Sequence, residues 1–248
     1  MKISIITATY NSAATVTTTM ESVAQQEHPD IEHIIVDGGS DDDTLTLVRA
    51  FPHVAKVVSE KDEGIYDAMN KGIGLATGEV IGILNSDDLY TNEFILSKVA
   101  AAFEDPAIDA VYGDLQYVDA LNINKVTRTW KAGAFRPSLF YYGWMPPHPT
   151  FFVRRRVYAR NGLFNISLRS SADYELMLRI LLKNKGRPKY IPEILVKMRV
   201  GGQSNASLKN RLYANREDKL AWELNGLKPY FFTLYLKPLR KIKQFIIK

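Results

Sequence analysis

Two adjacent carboxylates, Asp87 and Asp88, follow the apolar run EVIGIL in the polar tip NSDD. Neighbouring carboxylates repel each other unless a cation lies beside them, and hard divalent cations prefer oxygen ligands. Magnesium or manganese held by one or two carboxylates commonly binds substrate phosphates as well. The pair therefore indicates a metal and phosphate site. The alternative is a solvated turn whose aspartates cap the helix predicted in the TNEFILSKVAAAF stretch that follows.

The elements that must position this pair alternate between strand and helix patterns over the first hundred residues. The predicted strands are ISIIT (3–7), IEHIIVDGG (31–39), VAKVVSE (54–60) and EVIGILNSDD (79–88). Such alternation predicts an α/β domain with a mostly parallel sheet flanked by helices. Because ligands bind at the carboxyl ends of parallel strands, the polar clusters that follow these strands are expected to form one site. The second half predicts a mixed extension of the sheet, an amphipathic helix over 172–186 and a helical C-terminal segment.

Composition limits the possible chemistry. The 248 residues contain no cysteine, which excludes disulfides, thiolate metal sites and cysteine nucleophiles. Residues 1–120 hold 6 basic and 21 acidic residues, a net charge of −15, and residues 121–248 hold 26 and 6, a net charge of +20. This asymmetry favours a cation as partner of the first half and an anion as partner of the second, although uneven surface charge would give the same counts. No secretory signal or membrane-spanning run is present, so a cytoplasmic location is expected.

Several phosphate-handling folds lack their signatures here. There is no G-x-x-x-x-G-K-[ST] loop and no G-x-G-x-x-G after the first strand. That strand ends in TATYN, without the aspartate that an aspartyl phosphatase uses as its nucleophile. No glycine-rich loop carrying arginine and lysine follows it, as a sugar nucleotidyltransferase requires. The basic half contains no recognised nucleic-acid-binding motif, and no nucleic-acid partner is predicted.

A series of motifs carries a family resemblance. They are TATYN, VDGGSDDDT, SEKDEGIYDAMNKGIGLATGEVIGILNSDD, YGD and HPTFF, in this order. Over about residues 1–200 the chain resembles the family 2 glycosyltransferases of GT-A fold, and most closely their bacterial polysaccharide-assembly, colanic-acid-type branch. The resemblance implies that SDD (86–88) is this chain's form of the metal-binding D-x-D motif. Since Ser86 stands at the first acidic position, Asp88 is the expected ligand of a Mn²⁺ or Mg²⁺ ion, and Asp87 is assigned to the donor.

The resemblance also assigns the donor-binding residues position by position. Those matched to the nucleotide, its ribose or its diphosphate are Thr7, Thr9, Tyr10, Asp37, Glu63, Asn70 and Lys71. The chemistry agrees, because a carboxylate accepts hydrogen bonds from ribose or base and a lysine offsets phosphate charge. Each residue also has a purely structural alternative, such as a core position for Tyr10 or a turn-forming role for Asp37. His148, in PPHPTFF, matches the acceptor-side loop.

The resemblance implies transfer with inversion, which needs a carboxylate as general base. ADYELMLRI offers two, and helical spacing separates them. Asp173 shares a face with Met177 and Ile180, towards the packed side, whereas Glu175 precedes Arg179 by four residues and is expected to form a solvated ion pair. Asp173 is therefore the predicted base. The MRVGGQS stretch (198–204) resembles a flexible loop, from which Arg199 could reach a diphosphate.

The C-terminal segment combines aromatic and basic residues. We expect a GT-A domain over 1–205 and a helical extension over 206–248. From Pro229 its aromatic residues are Tyr230, Phe231, Phe232 and Tyr235, its basic residues include Lys237 and Arg240, and Leu239, Ile242 and Ile246 share one helical face. This composition is typical of an interfacial helix on an anionic leaflet. The alternative is a segment packed on its own domain.

Together these features predict a metal-assisted, inverting glycosyltransferase. The favoured donor is a UDP-sugar, and the acceptor is a saccharide carried on a polyprenyl diphosphate lipid at the inner face of the plasma membrane. The alternative is a catalytically silent subunit of a polysaccharide assembly complex, with a nucleotide-sugar-binding or a scaffold role. Asp88 and Asp173, both present, favour the enzyme.

Overall fold

The structure is a computed structural model that describes residues 1–201, 208–240 and 244. Its first half alternates strands and helices as the sequence predicts. The elements are β1 (Ile3–Thr9), α1 (Val16–Ala24), β2 (Ile31–Asp37), α2 (Thr44–Arg49), β3 (Val54–Ser59), α3 (Ile65–Leu75), β4 (Val80–Ile83), β5 (Asp88–Tyr90) and α4 (Ile95–Ala102). Strands β1 to β4 lie parallel in the order β3-β2-β1-β4. The predicted α/β class is confirmed.

The second half extends the same sheet with mixed strand directions. Its elements are β6 (Ala110–Val118), β7 (Val126–Trp130), α5 (Ser138–Tyr141), β8 (Phe152–Arg154), α6 (Arg155–Asn161), α7 (Ala172–Met177), β9 (Pro188–Arg199), α8 (Leu208–Leu224) and α9 (Thr233–Arg240). Within the described residues the order continues β4-β8-β6-β9-β5, and β7 pairs with β6. Strand β8 is antiparallel to β4 and β6, whereas β9 is parallel to β6.

Helices cover both faces of the parallel strands, because alternate residues of each strand are apolar on opposite faces. On one face Ile6 and Ile34 pack with Met69 of α3, and on the other Ile35 packs with Met20 of α1. Helix α3 approaches β1 closely through Gly72, where an added Cβ would lie 2.4 Å from the Ile6 Cγ2 atom. This close packing fixes α3, which carries several of the predicted site residues.

Strand β4 is shorter than the sequence predicts. It ends at Ile83, and a turn closed by the Asp88 N–H to the Asn85 carbonyl separates it from β5. Asp88 then begins β5, which pairs antiparallel with β9, opposite Met198. The sequence pattern could not show this, because the partner strand lies more than a hundred residues away. The pairing places Asp88 on β5, the last strand in the sheet order, where the residue is fully buried.

The helix predicted over 172–186 is also divided. Helix α7 covers only Ala172–Met177, and a π-helical segment continues it over Leu178–Lys183. The wider turns end where the Asn184 N–H donates to the Arg179 carbonyl and the Gly186 N–H to the Ile180 carbonyl. A Cβ on Gly186 would lie 2.8 Å from that Ile180 oxygen, so the segment closes tightly on itself.

The C-terminal helices pack on the rest of the chain. Trp222 of α8 is fully buried in the main hydrophobic core and donates its indole N–H to the Tyr174 hydroxyl at 3.0 Å. In α9, Lys237 bonds both carboxylate oxygens of Asp218 at 2.7 Å and lies 3.6 Å from the centre of the Tyr174 ring. The described parts of the two segments predicted to divide at 205/206 therefore share one core. Lys237, expected at a lipid headgroup, is instead held inside the protein.

A buried polar chain runs through the base of the sheet. The imidazole of His33, with no exposed surface, contacts the Thr7 hydroxyl through Nε2 at 3.0 Å and the His53 ring through Nδ1 at 3.0 Å. Burial, with a further contribution from the charge of His53, lowers the pKa of His33 to about 3. Between about pH 3 and pH 6.5 the folded protein thus holds a neutral His33, whereas the unfolded chain would protonate it.

This buried imidazole predicts acid sensitivity above the range in which carboxylates titrate. Because the pKa is lowered on folding, the stabilisation is present above the unfolded value of about 6.5 and is lost as the pH falls below it. Between pH 7 and pH 5 we expect the free energy of unfolding to fall by about 2 kcal/mol from His33 alone. Urea unfolding of His33→Gln should show a correspondingly smaller loss, whereas exposed His28→Gln should retain the wild-type pH dependence. Equal slopes in all three proteins would contradict the prediction.

Candidate active site

The carboxyl ends of β1, β2 and β3 are joined at Asp37, which is fully buried. Its carboxylate accepts hydrogen bonds from the Thr9 hydroxyl, the Ser59 hydroxyl, and the backbone and hydroxyl of Ser40, at 2.5–2.9 Å. Gly39 donates a further backbone bond at 3.1 Å. Burial alone would raise the pKa of Asp37, but the bonds from Ser40, Ser59 and Thr9 outweigh it and lower the pKa. Asp37 and Thr9 therefore organise the edge of the site.

The β1 loop connects this edge to the aspartate pair. Tyr10 projects with 62% of its surface exposed, beside Gly38. The Asn11 N–H donates to the Ser40 hydroxyl at 2.9 Å, and the Ser12 and Ser86 hydroxyls lie 2.9 Å apart. The polar tips predicted to meet at one edge do meet there. Thr7 lies deeper, with no exposed surface and its hydroxyl on His33, so it has no surface to offer a ligand.

Asp87 and Asp88 occupy different environments. Asp88 is fully buried, with Oδ2 accepting from the Asn85 amide at 2.9 Å and Oδ1 lacking any partner among the described residues. Burial first, and then the charge of Asp87, raise the pKa of Asp88 well above its usual value. Asp87 is only partly buried; burial raises its pKa too, with the charge of Arg199 opposing. Arg199 bonds the Asp87 carbonyl at 2.7 Å, so its guanidinium lies at the pair.

These residues fit a divalent cation shared with a ligand. Asp88 Oδ1 and Asn85 Oδ1 are both buried acceptors without a donor, and the two carboxylates repel each other, which a cation would relieve. Of the two carboxylates only Asp87 has exposed surface. Within the described residues, no three histidine or acidic side chains come close enough to hold a metal by themselves. A cation here would need further ligands, such as phosphate oxygens.

The loop between β3 and α3 is held by Lys71. Its ammonium pairs with Glu60 at 2.9 Å and with Asp67 at 3.3 Å, and it donates to the Lys61 carbonyl at 3.1 Å. Glu63 is exposed in this loop, and its backbone N–H donates to Asp67 at 3.1 Å. Lys71, predicted beside a diphosphate, thus has its three donor positions occupied by the protein.

Asn70 joins α3 to the segment that precedes α7. Its amide nitrogen donates to the Phe164 carbonyl and its amide oxygen accepts from the Phe164 N–H, both at 2.9 Å. The amide is consequently used by the backbone rather than available to a diphosphate. The Phe164 ring stacks on Tyr66 with centroids 5.5 Å apart, and His148 contacts the same ring edge-on at 5.7 Å.

Asp173 lies beside this aromatic group. It is partly buried at the start of α7, and its Oδ1 accepts a hydrogen bond of 3.2 Å from the Tyr66 hydroxyl. Burial lowers the pKa of His148, and the nearby charge of Asp173 opposes this shift. Asp173 and His148, predicted separately as base and acceptor-side residue, are brought together. Sequence reasoning missed Tyr66, although it stands in the quoted motif GIYDAMN.

Glu175 is not the solvated residue that the sequence predicts. It pairs with Arg179 as expected, but only 3% of its surface is exposed. Asn225, directly after α8, donates to its Oε1 at 3.0 Å, and Arg179 also donates to the Asn161 and Leu163 carbonyls. The helical spacing gave the right pair, but the cover provided by α8 comes from fifty residues further along the chain. Glu175 thus fastens α7, which carries Asp173.

Solved structures with the same architecture define the class. The chain matches S. aureus TarS 1-349 with a TM-score of 0.72, at 21% identity, over 98% of this chain and 72% of that one. It matches mannosyltransferase PcManGT from Pyrobaculum calidifontis, in complex with GDP-Man and Mn²⁺, with a TM-score of 0.68, at 20% identity, over 95% and 68%. It spans 39% of the longer TarS structure. The fold is GT-A, as predicted.

The sequence comparisons identify the family. Residues 4–163 match the family model "Glycosyl transferase family 2". A Mycobacterium bovis protein named "PGL/p-HBAD biosynthesis glycosyltransferase" is 34% identical over 181 residues, which are 71% of this chain and 68% of that protein. The chain belongs to glycosyltransferase family 2, and the predicted enzyme class is confirmed. The colanic-acid-type branch stays a prediction.

The environment of Asp88 predicts that this aspartate lowers the free energy of unfolding of the protein. Asparagine has the same shape, carries no charge, and could donate to the unpartnered Asn85 Oδ1. We therefore expect Asp88→Asn to raise the free energy of unfolding at pH 7, without added metal, by about 1–3 kcal/mol.

Urea unfolding in the presence of a chelator measures this change. Asp87→Asn is the matched control, because its carboxylate is less buried and should gain less. An Asp88→Asn protein less stable than wild type would contradict the prediction.

Proposed function

We propose that this chain is an inverting glycosyltransferase that moves a sugar from a nucleotide-sugar donor to a hydroxyl of a saccharide acceptor. One observation supports it most directly. Burial raises the pKa of Tyr117, on β6; the charge of Arg128 opposes this shift, and the charges of Asp88 and Asp173 add to it. Tyr117 is therefore within electrostatic range of both Asp88, on the donor side, and the proposed base, as is expected of a site for transfer between two bound sugars.

The chemistry assigned to Asp173 is general-base catalysis. The carboxylate takes the proton of the acceptor hydroxyl as that oxygen forms a bond to the anomeric carbon. The bond from this carbon to the diphosphate oxygen breaks at the same time, and attack from the opposite face inverts the configuration. Only Oδ1 is engaged by Tyr66, which leaves Oδ2 for the proton.

Asp87 and Asp88 would hold a divalent cation, Mn²⁺ or Mg²⁺, together with the donor diphosphate. When bound, such an ion would neutralise the charge that develops on the leaving diphosphate. Asp87 offers the accessible carboxylate, and we therefore assign it a ligand role alongside Asp88. Arg199, bonded to the Asp87 carbonyl, places a positive charge next to the same position.

The donor is proposed to be a UDP-sugar. A TarS 1-349 structure in complex with UDP-GlcNAc matches this chain with a TM-score of 0.70, at 20% identity, over 91% of the chain and 65% of TarS 1-349. In this chain the exposed ring of Tyr10 offers a stacking surface at the edge organised by Asp37. Glu63 is exposed on the neighbouring loop, where it could accept from ribose hydroxyls. Asn70 and Lys71 would support this site through the backbone.

A nucleotide panel tests the donor site. Thermal unfolding is measured with UDP, GDP, dTDP and CMP, each with and without manganese. A ligand at a hundred times its Kd stabilises the folded state by about 2.7 kcal/mol. We expect one nucleotide, UDP, to do so only with metal in the wild type, and the effect to be lost in Asp87→Asn and Asp88→Asn. No shift with any nucleotide would contradict the proposed donor site.

Asp173→Asn separates the enzyme from that alternative. The variant removes the base without altering the aspartate pair, so it should keep the nucleotide-induced shift and lose transfer by roughly a hundredfold or more. Release of the nucleoside diphosphate from the donor selected above is the measurement. Undiminished release would contradict the role of Asp173.

We further propose that the chain works at the inner face of the plasma membrane on a polyprenyl-diphosphate-linked acceptor. Among the described residues no helix has the length and apolar character needed to cross a bilayer. An aromatic surface is exposed instead: Tyr142, Tyr230, Phe231, Tyr235 and Leu239 are 47%, 52%, 89%, 74% and 55% exposed. Exposed Lys228 and Arg240 flank it. Such a surface is suited to an anionic lipid interface. Ile242 and Ile246, predicted to join it, lie outside the described residues.

Vesicle co-sedimentation tests this surface. Replacing Phe231 and Tyr235 together by serine should weaken binding to phosphatidylglycerol-containing vesicles by roughly tenfold or more, because two apolar groups no longer enter the interface. Leu121→Ser is the control, since Leu121 is 98% exposed on the distant β6–β7 turn. Equal binding by the double variant and the wild type would contradict the proposal.

A further inference from the structure

The hydrogen bond between Tyr66 and Asp173 connects two elements far apart in the chain. Tyr66 lies in the first turn of α3, and its hydroxyl donates to Asp173 Oδ1 at 3.2 Å. From the described part of the chain, Oδ2 receives no hydrogen bond. One carboxylate oxygen is therefore held, and the other is available to a substrate hydroxyl.

Helix α7 places the backbone of Asp173, but it does not orient the side chain. Helix α7 has only six residues, and its N-cap, Ser171, makes no side-chain capping bond. Because Asp173 is the second residue of so short a helix, its rotamer depends on contacts from other elements. Tyr66 supplies the contact that the structure shows.

The ring of Tyr66 is itself held in place by its neighbours. Its ring stacks on Phe164, whose backbone N–H and carbonyl are both bonded by Asn70. Asn70 lies one helical turn after Tyr66 on α3, so tyrosine, phenylalanine and asparagine form a closed set of contacts. His148 and Tyr158 pack against the same Phe164 ring. The hydroxyl is consequently held at a fixed position relative to Asp173.

The Tyr66 hydroxyl remains a donor over the working pH range. Burial, and then the charge of Asp173, raise the pKa of Tyr66 well above its usual value, so it stays protonated. The other titratable groups near this pair are His148, Tyr117 on β6 and Glu217 on α8. Of all these groups, only Tyr66 is seen to hydrogen-bond the carboxylate.

We propose that Tyr66 is a positioning residue for the general base. It holds Oδ1 of Asp173, so that Oδ2 faces the acceptor hydroxyl. The inference rests on the proposed function, in which Asp173 is the base. Helix α3 would then have two roles. Its Lys71 holds the loop on the donor side, and its Tyr66 orients the carboxylate of the base.

The first test needs no substrate. The ¹³C resonance of the Asp173 carboxyl is recorded at neutral pH and assigned by its absence in Asp173→Asn. Tyr66→Phe keeps the stacked ring but removes the donor, so this resonance should shift as the hydrogen bond is lost. Tyr158→Phe is the matched control, because Tyr158 packs on the same Phe164 ring without bonding Asp173, and it should leave the resonance unchanged.

The second test measures catalysis. Release of nucleoside diphosphate from UDP-GlcNAc and from GDP-mannose, with water as acceptor, is compared across the variants. Tyr66→Phe should lower kcat roughly tenfold with KM unchanged. Added to Asp173→Asn, the same substitution should cause no further loss, because its effect acts through that carboxylate.

The two proposals fail differently. An unchanged Asp173 resonance in Tyr66→Phe, or an equal change in Tyr158→Phe, overturns the positioning role. An additive loss in the double variant also overturns it. Undiminished release by Asp173→Asn overturns the proposed function instead, whatever the resonance in Tyr66→Phe shows.

Discussion

The structure depends on one buried carboxylate whose hydrogen-bonding capacity is fully used. Asp37 ends β2 and accepts bonds from Thr9, Ser40 and Ser59, which joins the carboxyl ends of three parallel strands. A buried charge is stable only when such donors replace its hydration, and here they are strong enough to lower its pKa. With the strand ends held in register, the loops after β1 and β4 meet at the Ser12–Ser86 contact and form one edge.

Asp88 presents the opposite balance at the same edge. It is as deeply buried as Asp37, yet one of its oxygens has no partner among the described residues and its neighbour Asp87 adds a like charge. Asp37 is satisfied by the chain itself, whereas Asp88 leaves a buried acceptor that a cation would fit. An uncompensated buried charge costs stability, and such groups are characteristic of functional sites.

The C-terminal helices pack against the short helix that carries Asp173. Helix α8 buries Trp222 in the main core and covers Glu175, which fastens the short helix bearing Asp173. In helix α9, Lys237 pairs with Asp218 and lies against the ring of Tyr174, which belongs to α7. The segment that bears the exposed aromatic residues therefore contacts the helix that carries Asp173.

The sequence by itself determined the α/β alternation, the four parallel strands, the polar tips and the family, because hydrophobic periodicity and motif order are local properties. It also gave the Glu175–Arg179 pair, which depends only on helical spacing. Only the tertiary structure decided that β4 ends at Ile83, that Glu175 is buried, that Asn70 and Lys71 bond the protein, and that Tyr66 meets Asp173. Each of these depends on a partner distant in the chain, and burial and pairing across such distances leave no periodic signal in the sequence.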